Sequence, residues 1–179
     1  MPPNVLPDCR LRALPAERTF HVVLVEPEIP PNTGNIARLC AATRCPLHLV
    51  GRLGFSIDEH AVRRAGLDYW PFVAVEQHAD LDAAERAIRA RSPGSELPPR
   101  SWLFSAWARQ SFTQIRFRPG DVLVFGRESV GLPRELLQER PDEVVGIPTL
   151  GEVRSLNLSN AVAIAVYEGL RQLGVLVSA

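Results

Sequence analysis

Short apolar runs alternate with amphipathic segments along this chain. Phe20-His21-Val22-Val23-Leu24-Val25 is β-rich and apolar, and it predicts a buried strand. Pro27, Pro30 and Pro31 follow as a stiff loop. Asn32-Thr33-Gly34 reads as a helix start, and a helix over 35–44 places Ile36, Leu39 and Cys40 on one face. Residues 46–50 form a second apolar run. An amphipathic helix is expected over 58–66 with Asp58 as N-cap, then a strand over 71–75. An Ala-rich helix over 80–90 starts at Asp80 or Asp82. Ser92-Pro93-Gly94-Ser95 and Pro98-Pro99 mark a loop. Strands are expected over 101–106, 121–125 and 144–147, with a Pro133-led helix over 133–139. The last helix runs over about 156–173 and is apolar nearly all round.

Strands that alternate with helices, and are apolar on both sides, predict an α/β fold with a parallel sheet flanked by helices. The 179 residues suit one domain, taken as 20–174, with a Pro-rich extension at 1–19 and a tail at 175–179. Hydrophobic residues make up 46% of the chain and charged ones 22%, which excludes a disordered chain. No apolar run approaches a membrane span, and residues 1–19 lack the apolar segment of a signal peptide, so no membrane partner is expected. Cys9, Cys40 and Cys45 fit neither a disulfide framework nor a zinc motif, and reduced thiols in the cytoplasm are expected. His21, His48, His60 and His78 are scattered without helical ligand spacing, so no metal site is expected.

Charge alters the picture only when divided. Twenty basic residues balance 20 acids, and every basic residue is arginine. Residues 71–120 carry a net +2 and residues 121–179 a net −3. Between Leu97 and Gly120 there are four arginines (Arg100, Arg109, Arg116, Arg118) and no acid. Trp102, Phe104, Trp107, Phe112 and Phe117 are interleaved with them. Arginine beside aromatics suits RNA, through phosphate forks and base stacking. The strand pattern equally allows several of these aromatics, Trp102 and Phe104 first, to be core.

In parallel sheets ligands sit beyond the carboxyl ends of strands. Three segments there are candidates. Residues 27–38 join stiff prolines to Gly34 and Arg38, so a helix start and a guanidinium could grip a phosphate. An ordinary capped helix with a surface arginine reads equally well. Residues 122–133 open from a strand into a loop with Gly126 and Gly131, where backbone can meet a ligand; Glu128 could accept from a ribose or fix an arginine. A plain strand-to-helix turn is the alternative. Residues 154–160 crowd Ser155, Asn157, Ser159 and Asn160 at a helix start that needs one cap. The helix behind them is either a core helix or a subunit interface.

Taken together, these segments resemble a known family. The stretch from Glu26 to Cys40 is similar to the first motif of the small SPOUT-type RNA ribose 2′-O-methyltransferases. The nearest subgroup methylates the wobble cytidine or uridine of tRNA. Phe125 to Pro133 resembles the second motif; Ile147-Pro148, Arg154 to Val162 and Tyr167-Glu168 resemble the third. Ala65-Gly66-Leu67-Asp68-Tyr69-Trp70 also matches the subgroup, and the likeness spans about residues 20–174.

That resemblance implies a C-terminal deep trefoil knot, S-adenosylmethionine as methyl donor without a metal, tRNA as substrate, and a homodimer joined through the last helix. Carried over by motif position, Phe104, Gly126, Ile147, Ser155 and Leu156 would line the donor site. Arg38, Ser155 and Asn157 would be catalytic, and Asn35, Glu128, Tyr167 and Arg109 would face the RNA. Two positions depart from the pattern. Ser105-Ala106-Trp107 stands where relatives carry Thr-Thr-Lys, with Arg109 the candidate replacement, and Val130 stands where they often carry arginine. A different tRNA or rRNA position, or a non-catalytic RNA-binding relative, are the alternatives; the intact Arg38, Ser155 and Asn157 set argues against the latter. A small-molecule nucleotide enzyme of doubly wound type would need a glycine fingerprint this chain lacks.

Overall fold

The computed structural model describes residue 13 and residues 19–55, 70–91 and 97–177. Among the described residues seven strands form one sheet: β1 (His21–Val25), β2 (Leu47–Val50), β3 (Val75–His78), β4 (Ser101–Phe104), β5 (Gln110–Ser111), β6 (Val122–Phe125) and β7 (Val144–Gly146). Their order is β3-β2-β1-β6-β4-β7-β5, and every pairing is parallel. The expected α/β architecture is therefore present.

Both faces are covered. On one, α1 (Pro30–Thr43) packs against a C-terminal helix. Val22, Leu24, Leu47, Leu49, Leu123 and Phe125 point into that core. On the other lies α2 (Leu81–Ala90), with Val23, Val50, Leu103 and Val124 beneath Ala84 and Ile88. Alternate residues of each strand serve opposite cores, so the strands read as unbroken apolar runs. A short α3 (Arg134–Glu139) follows β6. The C-terminal helix, α4, is Leu158–Gln172.

Several boundaries differ from expectation. Helix α1 begins at Pro30, not Asn35, because prolines at the first two helical positions lose only N–H groups that have no intrahelical partner. Residues 70–72 form a 3₁₀ turn, and the strand expected at 71–75 lies at Val75–His78. The strand after Arg100 stops at Phe104, and the two-residue β5 was not anticipated. Phe112 and Phe117 are buried, so they are core rather than stacking candidates, as Trp102 and Phe104 are. The helix expected over 58–66, the loop at 92–95 and nearly all of the extension lie outside the described residues. Among the described residues no helix is long and apolar enough to cross a membrane. Cys40 and Cys45 are buried free thiols, and burial pushes the Cys40 thiol well up.

Candidate functional site

The carboxyl ends of β4, β6 and β7 open into a single groove. Strand order reverses beside it, since β1 lies between β2 and β6, and β6 between β1 and β4. Phe104 and Phe125, the last residues of β4 and β6, stack with centroids 4.5 Å apart and planes at 16°. That apolar pair forms part of the wall.

Beyond Phe125 the chain folds back on itself. Arg127 and Gly131 exchange backbone hydrogen bonds, N to O 3.2 Å and O to N 2.9 Å. Gly131 has φ +76°, and a Cβ on Gly126 would lie 2.2 Å from the Gly131 carbonyl carbon. Gly126 is thus required by its own loop's closure. Across the groove Gly146 is also closely packed, since a Cβ there would lie 2.9 Å from the Ser105 carbonyl oxygen.

One polar network joins the three segments. Glu128 accepts from the backbone N–H of Glu28 (2.8 Å) and Ile29 (3.2 Å) through its two carboxylate oxygens, and from Asn32 Nδ2 (3.0 Å). Helix α1 has no side-chain cap, and the Glu128 carboxylate lies at its positive end, bonded to the turn that leads into it. Glu28 returns the contact, accepting from Ser129 N–H at 3.0 Å. Asn32, 5% exposed, then accepts from Asn157 Nδ2 at 3.0 Å. Asn157 caps α4, its Oδ1 accepting from Ser159 N–H (2.9 Å) and Oγ (2.7 Å). Arg127 pairs with Glu26, which has a left-handed backbone, φ 49°.

Of the residues singled out in the sequence, Phe104, Arg109, Gly126, Glu128, Ile147, Ser155, Leu156 and Asn157 line this groove. Asn35 and Arg38 do not; both are exposed on α1. Tyr167 is exposed on α4 beside Ile164, also off the groove. Glu128 and Asn157 are committed to holding loops together. Asn32 carries no chemical signal in the sequence beyond its place in the polar Asn32-Thr33-Gly34-Asn35 helix start. The rim carries Trp107, 76% exposed, with the Arg134 guanidinium 5.6 Å from the ring centroid. Arg109, Arg127, Arg134 and Arg154 line the groove against Glu26 and Glu128, a local positive excess in a neutral chain.

Residues 19–167 match the SpoU rRNA Methylase family. A tRNA (cytidine(34)-2′-O)-methyltransferase of Saccharophagus degradans is 47% identical over 156 residues, covering 87% of this chain and 96% of that protein. One of the same description from Acidovorax sp. is 49% identical over 154 residues, covering 86% and 91%. A solved structure described as giving insights into the 2-OH methylation of C/U34 on tRNA superposes with TM-score 0.77 at 45% identity, covering 88% of this chain and 97% of that one. An AdoMet-bound rRNA methyltransferase of Sinorhizobium meliloti superposes with TM-score 0.70 at 25% identity, covering 89% and 59%.

Proposed function

The chain belongs to the SpoU rRNA methylase family, and from that premise we propose that it methylates the ribose 2′-OH of the wobble nucleotide, cytidine or uridine 34, of tRNA, with S-adenosylmethionine as donor. The observation that carries the reading is the convergence of residues 104–109, 126–134, 146–149 and 154–157 on one groove, in a chain nearly half identical to relatives of that description over most of its length. Phe104, Ile147 and Leu156 offer apolar surface to an adenine ring, while the loops around Gly126 and Ser155 bring backbone close to its polar edge. These residues fit the donor. When bound, it supplies an electrophilic sulfonium methyl.

The chain's own residues position and polarise. Ser155 and Leu156 cradle the donor, with Asn157 fixing their loop through α4 and Asn32. Glu128 sets the distance between the first and second motifs, and Arg109 with Trp107 meets the RNA at the rim. Arg38 stabilises the 2′-alkoxide as it develops while the hydroxyl proton leaves to solvent water, since a guanidinium stays protonated near neutral pH. Arg38 stands outside its own chain's groove, so a homodimer joined through the exposed face of α4, with Ile164 and Tyr167, is assigned to bring it there. Asn35, one turn earlier, orients the same nucleotide. The fold carries the trefoil knot of its family, residues 20–174 form the catalytic domain, and the enzyme works in the cytoplasm without a catalytic metal.

The deciding experiment incubates purified protein with labelled donor and unmodified tRNA, then maps the methylated nucleotide by mass spectrometry. Label on the 2′-oxygen of nucleotide 34 is expected. Label elsewhere, or none from protein that binds the donor by calorimetry, overturns the assignment. Arg38→Ala should lower methyl transfer by about a hundredfold or more with donor affinity retained; an unchanged rate would remove Arg38 from the mechanism.

A further inference from the structure

Three of the four histidines, far apart in the chain, meet on the α2 side of the sheet. His21 Nδ1 lies 2.9 Å from His48 Nε2, and His48 Nδ1 lies 3.0 Å from His78 Nε2. Glu76 Oε2 is 3.8 Å from His78 Nε2. None of the four lines the groove, and methyl transfer uses none of them.

The backbone arrangement is specific. Glu76 and His78 are two apart on β3 and so share one face, and His48 is registered directly opposite Glu76 on β2. One donor atom from each of His48, Glu76 and His78 lies within 4.8 Å of the others. In a tetrahedral zinc site, metal–nitrogen bonds of about 2.0–2.1 Å put two nitrogens roughly 3.3 Å apart. The two rings therefore need to part by only a few tenths of an ångström. His48 is 1% exposed, whereas the His78 and Glu76 side chains are 10% and 24% exposed, which leaves one side open to a water ligand.

The surrounding groups support the same reading. A ligating histidine engages its other ring nitrogen with a fixed partner, and ligating carboxylates are themselves held. His48 has His21 on its far nitrogen, and Glu76 has Arg91 on its far oxygen. Two imidazoles and one carboxylate favour a borderline ion over Mg²⁺ or Ca²⁺.

We propose that His48 Nδ1, His78 Nε2 and Glu76 Oε2 form a site for one divalent transition-metal ion of the zinc class, clamping the edge strand β3 to β2. Helical spacing rules could not find it, because its ligands come from neighbouring strands.

The test uses the full chain without an affinity tag, stripped by chelator and dialysed. Zn²⁺ is titrated in competition with a chromophoric chelator, and Co²⁺ is followed by its visible absorption. One equivalent should bind, with the thermal midpoint raised by Zn²⁺. His78→Asn and Glu76→Gln, at partly exposed positions, should each fold by circular dichroism and bind about tenfold or more weakly. Substoichiometric uptake by the parent, or equal uptake by both folded variants, overturns the site and leaves a hydrogen-bonded histidine chain. Because methyl transfer is not the readout, this outcome is independent of the function proposed above.

Discussion

Asn32 holds three motifs with one amide. Its Nδ2 donates to Glu128 and its Oδ1 accepts from Asn157, so a single buried side chain sets how the first, second and third motifs face each other. Truncating it leaves part of a carboxylate and an amide unmatched in a partly buried place. Asn32→Ala should therefore cost about 1–3 kcal/mol in urea unfolding. Asn32→Asp should cost more, since it sets a second carboxylate against Glu128. Gly126 offers a sharper contrast. A methyl there meets backbone at 2.2 Å, and no rotamer change relieves that. Gly126→Ala should destabilise by about 1–3 kcal/mol and abolish donor binding in calorimetry. Gly126 was visible in the sequence as a candidate, but the reason it must be glycine, closure of its own loop on Gly131, needed the fold.

At the scale of the element, α1 and α4 show where local rules stop. Helix α1 has two prolines at its start and no side-chain cap, so sequence places its first turn too late; the turn leading into it is held by Glu128, a hundred residues away. The strands were easier, because burial on both faces makes them continuous apolar runs. Strand β5, only Gln110 and Ser111, has no such run and exists because β7 offers it a parallel edge. Helix α4 provides a test in which two effects oppose. Gly169→Ala should gain about 1 kcal/mol from helix propensity. A Cβ there would sit 2.6 Å from the ring of Phe20, which is fully buried and cannot swing away. Crowding should win, with a net loss of about 1–2 kcal/mol seen as a lower thermal midpoint.

For the whole molecule, zero net charge is compatible with an RNA substrate because the arginines are concentrated. Arg109, Arg127, Arg134 and Arg154 share one groove, while much of the acid lies elsewhere, as in the cluster of Glu85, Glu143 and Arg140 near α2. Affinity for tRNA should thus fall with salt, with a slope set by a few phosphate contacts. Arg109→Ala should lower the slope of log K against log salt by about 0.7–0.9 while leaving donor binding unchanged. An unchanged slope in filter binding would move Arg109 off the RNA path.

By itself the sequence determined the alternation of strands and helices, the parallel sheet they imply, and the three polar, glycine-bearing segments that meet at the groove. Each of these rests on local pattern: period, apolar runs, glycine and proline placement. Tertiary structure alone decided which of those residues meet. It brought Ser155 and Leu156 to Phe104 and Gly126, kept Arg38 and Tyr167 outside the groove of their own chain, and made Glu128 a tie between its loop and the turn before α1. It also drew His48, Glu76 and His78 together across neighbouring strands. The physical reason is common to all: strand register and the sheet's reordered connections juxtapose residues tens of positions apart, and no local period encodes that distance.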